Sequence, residues 1–259
     1  MNFIKFLGTA GARVVVTKQL RASGGIWLNL DGTNILIDPG PGTLVKCFSS
    51  KPKLNPTDLE GIILTHKHLD HSNDINIMIE AMTEGGFKKK GKVFAPSDAL
   101  NQDPVILKYV REYVEKIEIL KEGGEYSIGN IKFTTPVKHI HSVETYGLII
   151  YGSKIKISLI ADTLYFTGLE KYYKGEILIL NTVRLEPKQD LKYDIQHLTI
   201  PDAKKIISFI KPKLAILTHF GMTLLRAKPW EIAKQLSTEL GINIISANDG
   251  MQINLSEFI

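Results

Sequence analysis

The chain has 259 residues and a formal net charge of +5, and this length without a Pro/Gly/Ser-rich or like-charge linker predicts one domain over residues 1–259. The single cysteine, Cys47, excludes a disulfide framework and a thiolate metal cage, and it indicates a reducing compartment. No run approaches the roughly 20 apolar residues of a membrane span, and the N-terminal stretch lacks a signal-peptide apolar core, so we expect a cytoplasmic protein with no membrane partner.

Short β-branched or alternating runs predict strands in both halves of the chain. In chain order, the predicted strands lie in residues 26–38, 61–66, 92–96, 131–137, 146–152, 154–162, 176–183, 213–220 and 242–247. The Asp31-Gly32 pair inside the first of these segments predicts a hairpin.

Helical patterns fall between the strands. They lie at residues 73–86, 104–117, 199–211 and 228–241. In the third pattern, Thr199 and Asp202 form a capping box, and an apolar stripe follows at i, i+3, i+4 and i+7 from Ala203. Two sheets packed face to face with helices outside would bury such a pattern, so we predict an α/β layered sandwich.

A dense cluster of metal-ligand side chains follows the strand predicted at residues 61–66. In the stretch "ILTHKHLDHSND", the side chains of this kind are His66, His68, Asp70 and His71, with His71 predicted to open the next helix. Imidazole and carboxylate ligands together suit Zn²⁺, with Mn or Fe as alternatives. A solvated polar loop is the other interpretation, but the spacing is too specific to favour it.

The remaining histidines also lie near strand ends or helix starts, where sites are built. They are His139, His141, His197 and His219. Asp162 likewise ends a predicted strand. Two metal ions need about seven protein ligands with one shared carboxylate, and the sequence supplies that number.

The order His-x-His-x-Asp-His, His, Asp, His resembles the metallo-β-lactamase superfamily, and "ILIDPGPG" resembles its first motif. The resemblance covers nearly the whole chain and implies a four-layer αβ/βα sandwich of two mixed sheets with helices outside. It implies that Asp38 supports the metal-binding loop without binding metal. The implied ligands are His66, His68 and His141 for one ion, Asp70, His71 and His219 for the second, and Asp162 as the bridge.

Within the superfamily, the sequence is similar to the ribonuclease Z branch. That branch carries a ligand histidine six residues before a glycine, which selects His141 over His139 because Gly147 follows His141 at that distance. His139 would then support the ligands or be exposed. His197 lies 22 residues before His219, and this resembles the general-acid histidine of the branch, although a lone histidine before a helix cap is more often structural.

The sequence also departs from ribonuclease Z. Only 20 residues separate His141 from Asp162, which leaves no room for the long arm that binds tRNA. The segment Phe220 to Met222 stands where ribonuclease Z has phosphate-gripping Ser and Arg-Tyr. The chain is thus more similar to armless cyclic phosphodiesterases. Lys88 to Lys90 could draw in phosphates or form a solvated loop, and the sequence leaves both interpretations open.

The resulting hypothesis is a binuclear metal-dependent hydrolase, a phosphodiesterase acting on small or single-stranded phosphodiesters or nucleic-acid fragments. A hydroxide held by the metals and oriented by Asp70 would attack phosphorus, and His197 would protonate the departing oxygen. The alternatives are an ester, lactone or thioester hydrolase on the same centre, a non-catalytic metal-binding module, and a redox diiron protein. The diiron alternative is disfavoured because such relatives place Glu where His68 stands. Related proteins often form homodimers.

Overall fold

The computed structural model describes residues 2–101, 103–187 and 196–259. The strands are β1 (Phe3–Phe6), β2 (Ile26–Leu30), β3 (Thr33–Ile37), β4 (Gly61–Ile63), β5 (Lys92–Ala95), β6 (Lys116–Ile119), β7 (Gly124–Ile128), β8 (Ile131–Thr135), β9 (Leu148–Tyr151), β10 (Lys156–Ile160), β11 (Ile177–Arg184), β12 (Leu198–Thr199), β13 (Leu214–Thr218), β14 (Ile244–Ser246) and β15 (Gln252–Asn254). The α-helices are α1 (Ala12–Thr17), α2 (Thr43–Ser49), α3 (Leu69–Ser72), α4 (Ile75–Met82), α5 (Leu169–Tyr172), α6 (Ile200–Ile210), α7 (Met222–Arg226) and α8 (Pro229–Leu240). Short 3-10 helices lie at Pro56–Asp58, Ser97–Ala99, Tyr109–Tyr113 and Leu255–Glu257.

The strands form two mixed sheets. In the first sheet the strand order is β15-β1-β2-β3-β4-β5-β6, and in the second it is β14-β13-β11-β10-β9-β8-β7, with β12 paired to β11. Strands β3 to β6 run parallel, as do β10, β11, β13 and β14. The loops that follow parallel neighbours leave a sheet at the same edge, which is where open α/β sheets place their sites.

The core has three apolar layers. Between the sheets, Phe94 of β5 meets Phe133 of β8 edge to face, with ring centroids 4.9 Å apart. On the outer face of the first sheet, α4 buries Ile75 and Met78. On the outer face of the second, α6 and α8 bury their apolar stripes. The order helix, sheet, sheet, helix confirms the predicted four-layer sandwich.

Most predicted strands are confirmed, and the hairpin is among them. β2 and β3 pair antiparallel across a turn in which Asp31 has φ 50° and Gly32 has φ 80°. Both residues take the left-handed conformation that a two-residue hairpin turn requires. The capping box at the start of α6 is also confirmed, because Thr199 accepts from the Asp202 N–H and Asp202 accepts from the Thr199 N–H.

Two helix predictions are wrong. Residues 104–117 contain a 3-10 helix at Tyr109–Tyr113, and the segment then enters β6, which pairs with β5. Val110 and Val114 are buried at the spacing that suggested a helix, but a 3-10 turn and the edge strand satisfy the same pattern. His71 does not open the long helix either, since it lies in the separate one-turn helix α3, ahead of α4.

The described residues contain no helix that is both long and apolar enough to cross a membrane. The connection between His141 and Asp162 holds the antiparallel hairpin of β9 and β10, as the sequence predicts.

Candidate metal centre

The strands end where the predicted site residues begin. β4 ends at Ile63 and the chain then reaches His66 and His68, and α3 adds Asp70 and His71. In the second sheet, Asp162 follows β10 and His219 follows β13 directly. The carboxyl ends of strands from both sheets therefore converge on one point between the layers.

All seven predicted ligands lie in this cluster, together with His197. Four sets of side chains have ligand-type atoms within 4.8 Å of one another and could each hold a metal ion. The sets are His66, His68 and His141; His66, His71 and Asp162; Asp70, His71 and His219; and Asp162, His197 and His219. We refer to the first as the three-histidine group and to the third as the Asp70 group.

The three-histidine group presents ring nitrogens toward a common centre. His141 Nε2 lies 3.0 Å from His68 Nδ1, and its other nitrogen, Nδ1, faces the Gln196 carbonyl at 3.0 Å. His66 Nε2 is buried without a hydrogen-bond partner among the described residues. A buried polar atom left without a partner needs an explanation, and a metal ion supplies one.

The Asp38 carboxylate organises both halves of the cluster. Its Oδ2 accepts hydrogen bonds from Thr65 Oγ1 at 2.7 Å and from His71 Nδ1 at 3.0 Å. Because the Thr65 hydroxyl donates to Asp38, it can only accept from His66 Nδ1, which lies 3.1 Å away. Both imidazoles therefore carry a proton on Nδ1, and both Nε2 atoms face the cluster.

The ligand atoms of the Asp70 group also lie close to one another. His71 Nε2 lies 2.9 Å from His219 Nε2, and Asp70 Oδ2 lies 3.4 Å from His219 Nε2. His219 has φ 62°, and a Cβ atom on Gly11 would come within 2.5 Å of its Nδ1. Glycine at position 11 is therefore required for the backbone to approach His219 this closely.

Asp162 lies between the two groups. Its Oδ2 is 3.7 Å from His66 Nε2 and 3.5 Å from His71 Nε2. Its Oδ1 is 3.5 Å from His219 Nδ1 and accepts a hydrogen bond from Asn181 Nδ2 at 2.9 Å. The side chain is 1% exposed. Burial alone would raise the pKa of Asp162, but the surrounding histidines, His219 first among them, hold it well below its usual value.

Burial sets the protonation of most of the histidines. It lowers the pKa of His66 far below its usual value and that of His68 to about 4. For His71, burial also acts downward, but the carboxylates of Asp70, Asp162 and Asp38 outweigh it and raise the pKa. Neutral imidazoles and ionised carboxylates are the forms that bind divalent metal. His71 would release its second ring proton when a cation binds, and with that release the donor set fits such ions.

His139 and His197 have separate positions. His139 is buried, with Nε2 2.7 Å from the Tyr173 hydroxyl and Nδ1 3.3 Å from the Asp162 carbonyl, and it belongs to none of the four sets. It therefore supports the Asp162 backbone. His197 lies just before β12, with Nδ1 3.4 Å from Asp162 Oδ2, and burial lowers its pKa to about 4.

Sequence reasoning missed two contributors to the cluster. Thr65 links Asp38 to His66, and Asn181 binds the buried Asp162 carboxylate. A signal existed for Asn181, because it follows the apolar run "ILIL" inside a buried strand.

The side chains of Lys88 and Lys90 bind groups outside the metal-ligand cluster. Lys88 pairs with Glu84 at 2.7 Å, and Lys90 donates to the Thr57 carbonyl at 2.5 Å. The lysine run precedes β5, whereas the cluster follows the end of β4, which is parallel to β5. The run therefore lies at the opposite edge of the sheet, and the solvated-loop interpretation is favoured.

Sequence comparison identifies the family. The profile of the beta-lactamase superfamily domain matches residues 33–220. An uncharacterized protein of Methanocaldococcus jannaschii is 30% identical, over 97% of this chain and 94% of that protein. A ribonuclease Z of Thermobifida fusca is 32% identical over 63% of this chain, and the match spans about half (51%) of that enzyme's length.

Solved structures share the fold. The metallo-β-lactamase fold protein YhfI from Bacillus subtilis has a TM-score of 0.80 at 19% identity, covering 97% of this chain and 98% of that one. A diphosphatase of the PhnP family has a TM-score of 0.70 at 19% identity, covering 97% and 96%. The fold implies divalent metal ions, and the family supports a hydrolase. The chain belongs to the beta-lactamase superfamily, and ribonuclease Z enzymes are among its relatives.

Proposed function

We propose that this chain is a binuclear metal-dependent phosphodiesterase that hydrolyses small or single-stranded phosphodiesters. The observation that carries the proposal is the buried Asp162 carboxylate, which lies between the three-histidine group and the Asp70 group. A carboxylate shared by two sets of donors is the arrangement that a two-metal site requires.

The ligand assignment follows the two groups. His66, His68 and His141 would hold one ion, Asp70, His71 and His219 the other, and Asp162 would bridge them. Imidazole and carboxylate donors favour Zn²⁺, with Mn²⁺ or Fe as alternatives. Two such ions, when bound, would lower the pKa of a water molecule and stabilise negative charge on a phosphoryl group.

The chain's own residues would handle the protons. The Asp70 side chain is 19% exposed, and its carboxylate can accept a hydrogen bond from an attacking water and orient it. His197 is 15% exposed, with Nδ1 3.4 Å from Asp162 Oδ2, and is the candidate donor to the departing oxygen. With a pKa of about 4 it is neutral near pH 7, so this role requires that the negative charge of a bound phosphodiester raise its pKa.

The surroundings of the centre favour a small substrate. The connection from His141 to Asp162 consists of a short loop and the β9 and β10 hairpin, so no arm extends from that position. After His219, Phe220 is fully buried and the Gly221 N–H donates to the Val183 carbonyl, so this segment offers no cationic grip for phosphate. Remote contacts that would position a folded tRNA are lacking at both places.

The alternative is hydrolysis of a carbon ester, lactone or thioester on the same centre. Such a reaction needs the same metal ligands, so the cluster geometry does not separate it from phosphodiester hydrolysis. Homodimer formation and a cytoplasmic setting stay expectations.

The substrate class is tested with a panel. We expect bis(p-nitrophenyl) phosphate to be hydrolysed with a higher kcat/KM than a simple lactone or a thioester, in parallel with metal analysis of the same preparation. When the two substrates compete at physiological salt, cyclic or dinucleotide phosphodiesters should be hydrolysed with a higher kcat/KM than precursor tRNA. Phosphate contacts alone would not hold the tRNA, because they weaken steeply with salt. A lactone or thioester preference would favour the alternative, and efficient precursor cleavage would contradict the small-substrate proposal.

Asp38→Asn tests the support of the ligands. The amide would place an N–H where Asp38 Oδ2 accepts, so the proton on His71 would move to Nε2 and block its lone pair. We expect metal affinity to fall by about 10–100-fold in competition with a chelator. Asp74→Asn is the control, because within the described residues the Asp74 carboxylate accepts only from the Leu44 backbone N–H and the Asn73 side-chain amide. Unchanged affinity in Asp38→Asn would contradict this role.

His197→Ala tests the general acid. The variant should keep both metals yet lose on the order of 10²–10⁴ in rate with poor leaving groups, and less with nitrophenolate, which needs no proton. His197→Gln, which can hydrogen-bond but carries no transferable proton, should behave in the same way. Equal losses for both leaving groups would indicate a structural role, and loss of bound metal would identify His197 as a ligand.

A further inference from the structure

The carboxylates of Asp98 and Glu144 each accept a hydrogen bond from the backbone N–H of the other residue. Glu144 Oε2 accepts from Ser97 Oγ at 2.5 Å and from the Asp98 N–H at 3.4 Å. In return, Asp98 Oδ2 accepts from the Glu144 N–H at 3.2 Å. Glu144 Oε1 also accepts from the Tyr146 hydroxyl at 2.8 Å. The 3-10 turn after β5 is thereby fastened to the loop before β9 by reciprocal hydrogen bonds.

The same turn reaches the loop that carries His66 and His68. Lys67 lies between these two histidines in the chain, and its Nζ is 3.8 Å from Asp98 Oδ2. The Tyr146 N–H donates to the Thr65 carbonyl at 3.1 Å. Three segments from two different sheets, the loops after β4 and β5 and the loop before β9, are therefore joined beside the cluster.

The hydrogen bonds keep Glu144 ionised. Burial alone would raise the pKa of Glu144, but the hydrogen bonds from Ser97, Tyr146 and the Asp98 N–H outweigh it and lower that pKa. Hydrogen bonds to an ionised acceptor are shorter and stronger than those between neutral groups. Glu144 is thus the central acceptor of the network, with two donors on the turn and one on its own loop.

We propose that Asp98 and Glu144 are positioning residues that fix the separation of His68 and His141 and thereby set the affinity of the three-histidine group for its ion. The inference rests on the proposed metal assignment. Neither carboxylate belongs to a set that could hold metal among the described residues. Their effect is geometric: His68 and His141 stand on loops of different sheets, and their ring nitrogens meet at 3.0 Å because these loops are held together.

Glu144→Ala tests the inference. We expect affinity for one of the two ions to fall about tenfold or more while the other is unchanged, measured by Zn²⁺ titration of the metal-free chain. The visible spectrum of the Co²⁺-loaded chain should change in the bands of one ion only. Glu144→Gln should restore most of the affinity, because its carbonyl can accept from Ser97 and its amide can donate to the Tyr146 hydroxyl.

Two controls separate positioning from general destabilisation. Glu176→Ala removes a carboxylate that accepts from the Lys156 N–H at 2.8 Å. Lys156 is the first residue of β10, at the opposite end of the strand from Asp162, so this variant should bind both ions like the wild-type chain. Ser97→Ala removes a single donor to Glu144 and should cause a smaller loss at the same ion, which keeps the test available if Glu144→Ala fails to fold.

Failure of the positioning role and failure of the proposed function give different metal-binding results. A wild-type chain that binds no metal contradicts the proposed function, and this is measured before any variant. If the wild-type chain binds two ions and Glu144→Ala binds both with unchanged affinity, the positioning role is wrong while the proposed function stands. If Glu144→Ala binds both ions equally more weakly and has a lowered Tm, the positioning role is also wrong, because that result indicates general destabilisation of the fold.

Discussion

The structure depends on one buried charge. Asp162 is 1% exposed, and an isolated carboxylate at that depth would cost several kcal/mol. It is compensated by Asn181 and by imidazoles from the loops after β4 and β13 and from His197. Those groups come from distant parts of the chain, so the strand ends of both sheets must meet at Asp162. The fold and the candidate metal centre are therefore consequences of the same constraint.

Residues that are not themselves metal ligands hold the ligands in position. Asp38 fixes the proton positions on His71 and, through Thr65, on His66, while His139 and Tyr173 hold the backbone of Asp162. These contacts leave Nε2 atoms and an ionised carboxylate facing one another, an arrangement of donors that suits a bound cation. The cluster is thus prepared for metal by residues that do not themselves face it.

Local patterns predicted much of this, and long-range pairing explains the rest. The cluster after β4, the hairpin at Asp31 and the cap at Thr199 each depend on neighbours in sequence, and all lie where they were predicted. The helix predicted at residues 104–117 was wrong and ran into strand β6, which forms only because it pairs with β5. Strand β1 and the supports Thr65 and Asn181 were missed for a similar reason, since their partners are far away in the chain or in another layer. The grouping of ligands came from the family resemblance.

The most direct test of this account is anomalous diffraction from crystals of the zinc-loaded protein. We expect two zinc peaks per chain on either side of the Asp162 carboxylate, one beside His66, His68 and His141 and the other beside Asp70, His71 and His219. A single peak, or peaks that do not share Asp162, would contradict the proposed binuclear centre.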